Sequence, residues 1–119
     1  MSATIELEGL TFVPGSVLRG RVKLEPIAEH MSRSVELAVL WETEGKGNTD
    51  MGVILYRVLA DGDEKAAQGE HAFDVTLPFL PLTYHGVLLK VVWRARVRRF
   101  APLAEDFIWD VPFELSWPT

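Results

Sequence analysis

A chain of 119 residues with a formal net charge of −5, 12 Lys and Arg against 17 Asp and Glu, and no cysteine is one domain by size and buries enough surface to need no covalent staple. The charge argues against nucleic acid or an anionic membrane as the main partner, and the lack of cysteine excludes disulfides and thiolate metal sites. No apolar run approaches the ~18 residues of a membrane-crossing helix, and Met1 to Glu6 has neither the basic start nor the apolar core of a signal peptide, so a cytoplasmic setting is the default expectation.

Ile5 and Leu7 open a short first strand, broken at Gly9 and by the turn Phe12-Val13-Pro14-Gly15-Ser16, where proline presets φ and glycine accepts a positive one. Val17 to Glu25 is the cleanest alternation. Leu18, Gly20, Val22 and Leu24 face one way, and Arg19, Arg21, Lys23 and Glu25 the other. Gly20 has nothing to pack, so a large neighbour is expected to cover it. Pro26 ends that strand, and Ile27 to Ser32 connects it to Ser34–Thr43. There Val35, Leu37, Val39 and Trp41 point inward, Glu36 and Glu42 outward, and Ala38 and Leu40 leave the outer face only partly polar.

Glu44 to Asp50 is a polar, glycine-bearing turn. Met51 to Ala60 is apolar on both sides, with Val53, Leu55 and Arg57 assigned to one face and Ile54, Tyr56 and Val58 to the other. Such a strand is either fully buried or an edge with an exposed patch. Asp61 to Gly69 is a loop in which Glu64–Gln68 has room for one helical turn. In Glu70–Leu77, His71, Phe73, Val75 and Leu77 point in.

The proline-marked bend from Leu77 to Gly86 leads into the run Val87–Phe100, followed by a break and the run Asp106–Leu115. Val87, Leu89, Val91, Trp93, Ala95 and Val97 share one face of the first run, while Phe107, Trp109, Val111, Phe113 and Leu115 share one face of the second. Pairing the runs antiparallel about Pro102 sets Arg98 against Asp106, Arg94 against Asp110 and Lys90 against Glu114. On the inner face the same register gives Val97–Phe107, Ala95–Trp109, Trp93–Val111 and Val91–Phe113. A slip of two residues keeps both faces but places Arg98 opposite Ile108 or Ala104, so charge matching disfavours it. Seven strands with regularly spaced turn signals predict an all-β, two-sheet antiparallel sandwich of immunoglobulin-like appearance.

Two stretches carry a family resemblance. Phe12-Val13-Pro14-Gly15 followed by Gly20-Arg21-Val22-Lys23-Leu24 resembles the opening of arrestin-like domains. Phe73-Asp74-Val75-Thr76-Leu77-Pro78, then Pro81, Thr83-Tyr84, Gly86 and the basic strand Leu89–Val97, resembles their later part. Order and separation both agree over about residues 3–115. The resemblance implies one arrestin-like lobe over residues 1–119, of the bacterial or amino-terminal-lobe type, and a general role as adaptor or scaffold. Arrestins carry two such lobes, and the Pro-Pro-x-Tyr tails of their adaptor branch are absent here.

Candidate binding residues follow from chemistry. Arg94, Arg96, Arg98 and Arg99 form a basic row able to receive an acidic peptide through guanidinium forks; the competing reading is cross-strand pairing with Asp106 and Asp110. Arg96, lacking an acidic partner in the register above, is the best of the four. Trp117 either covers an open end of the sandwich or anchors a partner, and together with Tyr56 it suggests a sugar-binding platform. His30, His71 and His85 are scattered, with His71 and Asp74 on opposite strand faces, so no metal site is expected. Ser16, His85 and Asp106 assemble into a triad only on paper, for there is no nucleophile elbow or phosphate-cradling loop. The expectation is a non-catalytic protein-binding module without cofactor, contacting an acidic or extended peptide or a second copy through an edge strand. It binds no nucleic acid and does not insert into a membrane. A carbohydrate- or small-ligand-binding sandwich is the alternative, and a hydrolase the third.

Overall fold

A computed structural model describes residues 3–25, 34–47, 49–61, 68–100 and 106–118 of the chain. The expected connection at 27–32, the helical turn at 64–68 apart from Gln68, and the turn about Pro102 lie outside them. Nine strands are described: β1 (Ala3–Leu7), β2 (Thr11–Phe12), β3 (Val17–Leu24), β4 (Ser34–Gly45), β5 (Met51–Asp61), β6 (Gly69–Thr76), β7 (Tyr84–His85), β8 (Leu89–Phe100) and β9 (Phe107–Leu115). Seven correspond to the predicted strands; β2 and β7 are two-residue additions. They form a small sheet, β1-β3-β6, and a large one, β2-β9-β8-β4-β5, with β7 paired to β8. The protein is an all-β sandwich of two sheets.

Alternation explains the layers. Leu18, Val22 and Leu24 of β3 and Phe73 of β6 meet Val35, Leu37 and Val39 of β4, Trp93, Ala95 and Val97 of β8, and Phe113 and Leu115 of β9 in one buried core. Gly20 is indeed covered. A Cβ built there would lie 2.6 Å from Phe73 Cζ and 2.8 Å from the Glu6 carbonyl oxygen, so the ring occupies the space that a side chain would need. The indole of Trp93 is fully buried and donates its N–H to Pro81 O at 2.8 Å, tying the proline bend to the core.

Four expectations are corrected. The β8–β9 register is the disfavoured two-residue slip: Arg96 faces Asp110, Arg98 faces Ile108 and Trp93 faces Phe113. Interior packing decides it, with the Trp93 and Phe113 rings 5.7 Å apart; a long arginine reaches an acid diagonally in either register. Arg99, assigned to the outer row, shares the inward parity of Val97 and is buried, donating from Nη2 to Glu25 O at 3.0 Å. Val87 and Leu88 precede β8 in an exposed loop. Leu40 keeps its expected place on the outer side and is buried there, between Arg94 of β8 and Val53 of β5 in register.

The faces of β5 are also reassigned. Register shifts opposite Val39/Leu40 and Val35/Glu36 insert Ile54 and Leu59 as extra residues, and a bulge resets the in/out sequence. Ile54 and Leu55 both pack against the core, so Val53, Tyr56 and Val58 share the outer face instead of dividing.

Candidate interaction surfaces

The outer face of the large sheet carries the predicted basic row, and each guanidinium there is already engaged. Arg96 grips Asp110 with both arms, Nε–Oδ1 2.7 Å and Nη2–Oδ2 3.2 Å, and reaches Glu42 at 3.4 Å. The bond to Asp110 above all holds the Arg96 guanidinium charged beyond its ordinary range. Arg94 meets Glu44, lies 3.0 Å from Glu42 through Nε and 3.8 Å from Asp110. Arg98 binds Asp106 at 2.7 Å and lies over the Phe100 ring, 4.9 Å from its centroid. The residue singled out for having no acid beside it has the best one, because the register slipped. Burial lowers the pKa of Arg99, which lies apart from the row on the core side.

Tyr56 and Trp117 are not brought together. Tyr56 stands on β5 and Trp117 follows β9, and β8 and β4 lie between those strands. The Tyr56 hydroxyl donates to Glu36, and that bond raises its pKa. Trp117 packs beside Phe79, 6.2 Å between ring centroids, and Phe79 in turn covers Gly15. Both rings of this pair remain exposed, Trp117 by about half. The paper triad disperses: Ser16 Oγ donates to Val13 O, His85 faces Glu114 at 3.5 Å and Asp106 holds Arg98. Among the described residues no three His, Asp or Glu side chains converge as a metal would require, and no helix is long and apolar enough to cross a membrane.

The other candidate surface is β5, which the sequence left as either a buried strand or an edge with an exposed patch. It is the terminal strand of the large sheet, eleven residues long, with β4 as its only ladder partner among the described residues. Met51, Val53, Tyr56 and Val58, all exposed, form an apolar row along its outer face. The only sequence signal was apolarity on both faces. Arg57 points the other way, across the gap to the small sheet, and donates to Ala72 O at 3.3 Å. Beyond it a cleft of about 540 Å³ crosses the outer face of β1, β3 and β6, lined by Arg19, Arg21, Glu6, Glu8 and Asp74 among others. Its cations and carboxylates balance, so it favours neither sign of ligand.

No family model matches the chain, and no curated protein is similar to it in sequence. Solved structures do share its shape. Spo0M, the sporulation control protein of Bacillus subtilis, superposes with a TM-score of 0.60 at 17% identity, over 98% of this chain and 49% of that one. A superoxide reductase (neelaredoxin) from Ignicoccus hospitalis gives 0.55 at 13% identity, over 98% of this chain and 81% of that one. The chain thus spans about half the length of Spo0M. Both likenesses concern the fold alone, a two-sheet β-sandwich.

Proposed function

We propose that this chain is a non-catalytic protein-binding module, one arrestin-like lobe, that receives an extended segment of a protein partner by strand addition at β5. The observation that carries the reading is the conjunction at β5: a long terminal strand with β4 as its only ladder partner among the described residues, and beside that edge four exposed apolar side chains in one row. Main-chain hydrogen bonds supply affinity at such an edge, and pockets for alternate side chains supply choice. Exposed apolar rows of this kind mark interfaces more often than chance. The arrestin resemblance of the sequence and the likeness to a sporulation control protein support an adaptor or regulatory role. The likeness to a superoxide reductase at 13% identity adds no chemistry to it.

The basic row takes second place as a docking surface. Three guanidiniums there face Glu42, Glu44, Asp106 and Asp110, so an acidic peptide would have to displace acids already held within the sheet.

Peptide display on the immobilised protein tests the reading. Selected peptides should alternate apolar residues at period two. They should lose binding to Val53→Lys, folded as judged by an unchanged urea midpoint, and keep it with Arg96→Lys. Peptides that bind Val53→Lys as well as the parent chain would overturn it.

A further inference from the structure

We infer that the segment received by β5 is β5 of a second copy of this chain, in a two-fold antiparallel pair that sets Met51 opposite Val58 and Val53 opposite Tyr56 of the other copy. This rests on the reading of β5 as a docking edge. It adds the identity of the occupant and its register.

Along β5 the side chains of Met51, Val53, Tyr56 and Val58 are on the outer face. Ile54 and Leu55 pack against the core, Gly52 lies against the Trp41 ring and Arg57 reaches toward the small sheet. Because Ile54 is an extra residue, the order of facings reads the same in both directions about the midpoint of Ile54 and Leu55. Two antiparallel strands place only like-facing residues opposite each other, and a two-fold axis requires residue i to meet j while j meets i. The bulged strand satisfies both conditions at once. A regularly alternating strand cannot place a two-fold between two adjacent residues, because those neighbours face opposite ways.

Among two-fold registers that overlap more than four residues of β5, one other passes the facing rule, centred on Arg57; the register centred on the second bulge, between Leu59 and Ala60, overlaps only Val58 to Asp61. The register centred on Arg57 opposes Tyr56 with Val58 and Val53 with Asp61, and it sets Arg57 against its own copy. Like charges directly opposite destabilise a pair. The register centred between Ile54 and Leu55 puts Arg57 opposite Gly52 and makes every outer pair apolar. Charge therefore selects between the two registers of long overlap. The result also manages the hazard of a free edge. Each β5 covers the other, and the two-fold closes the assembly instead of propagating it.

The absence of cysteine makes the register directly readable. Val53→Cys and Tyr56→Cys chains are prepared separately, mixed and oxidised. The mixture should yield about tenfold more disulfide-linked dimer than either variant alone, since only cross-strand neighbours bring their Cβ atoms within bonding range. Sedimentation of the parent chain should show a concentration-dependent dimer, abolished by Val53→Lys. Preferential linking of Tyr56→Cys with Val58→Cys would overturn the register. A parent chain that stays monomeric at high concentration while still binding displayed peptides at β5 would overturn self-pairing and leave the edge reading intact. A monomer that binds no peptide either would remove both.

Discussion

Arg96 and Asp110 face each other across β8 and β9, and both carboxylate oxygens of the aspartate are held by one guanidinium. Both side chains are about three-quarters buried, at 25% exposure each, so solvent screens the pair less than an ordinary surface bridge. Arg96→Ala should destabilise by about 1–2 kcal/mol, at the upper end for charge-assisted pairs. Arg96→Lys should cost less but not nothing, since an ammonium cannot reproduce the fork. Arg98→Ala, from a side chain 45% exposed, should cost under ~1 kcal/mol. Urea midpoints at constant slope check the order.

Gly20 allows β3 to lie against β1 and the Phe73 ring at once. Gly20→Ala forces a Cβ to 2.6 Å from that ring and 2.8 Å from a backbone oxygen of β1. Overpacking of this kind costs about 1–3 kcal/mol. Adding Phe73→Leu should recover part of the loss introduced by the alanine, because it withdraws the ring but not the backbone. Non-additivity in a double-mutant cycle is the measurement.

Trp93 joins core and bend through one hydrogen bond. Trp93→Phe keeps an aromatic ring beside Phe113 but abandons the carbonyl of Pro81. A cost of about 2–4 kcal/mol is expected from lost volume and an unmet acceptor together. Trp117→Phe, half exposed and held by one ring contact, should cost under ~1 kcal/mol. Thermal or urea unfolding separates the two tryptophans.

The phenol of Tyr56 should titrate late. Its bond to Glu36 is the largest cause, with the glutamate charge acting in the same direction. A pKa raised by folding means that this interaction favours the folded state below the ordinary tyrosine pKa of about 10 and is lost as pH climbs through the folded value. Glu36→Gln should move the phenolate absorbance transition of Tyr56 back toward the ordinary range, and Tyr56→Phe should remove it. An unmoved transition in Glu36→Gln would sink the assignment.

The faces of β3, most of β4, β6, β8 and β9 could be read in advance because a strand with one buried side writes its burial at period two: Leu18 and Val22, Val35 and Leu37, Ala95 and Val97. Gly20 could be read as a covered glycine for the same reason. Where two registers share that period, the pattern is silent. The slip that joined Arg96 to Asp110 was settled by how Trp93 and Phe113 fill one interior, a volume that neither strand describes alone. Arg99 obeyed its parity against its chemistry, because Glu25 O, just past the end of β3, lay within reach. The facing of β5 also waited on three dimensions. A bulge is a property of two strands with unequal residue counts, so only the pairing with β4 could reveal that Val53, Tyr56 and Val58 stand together at an open edge.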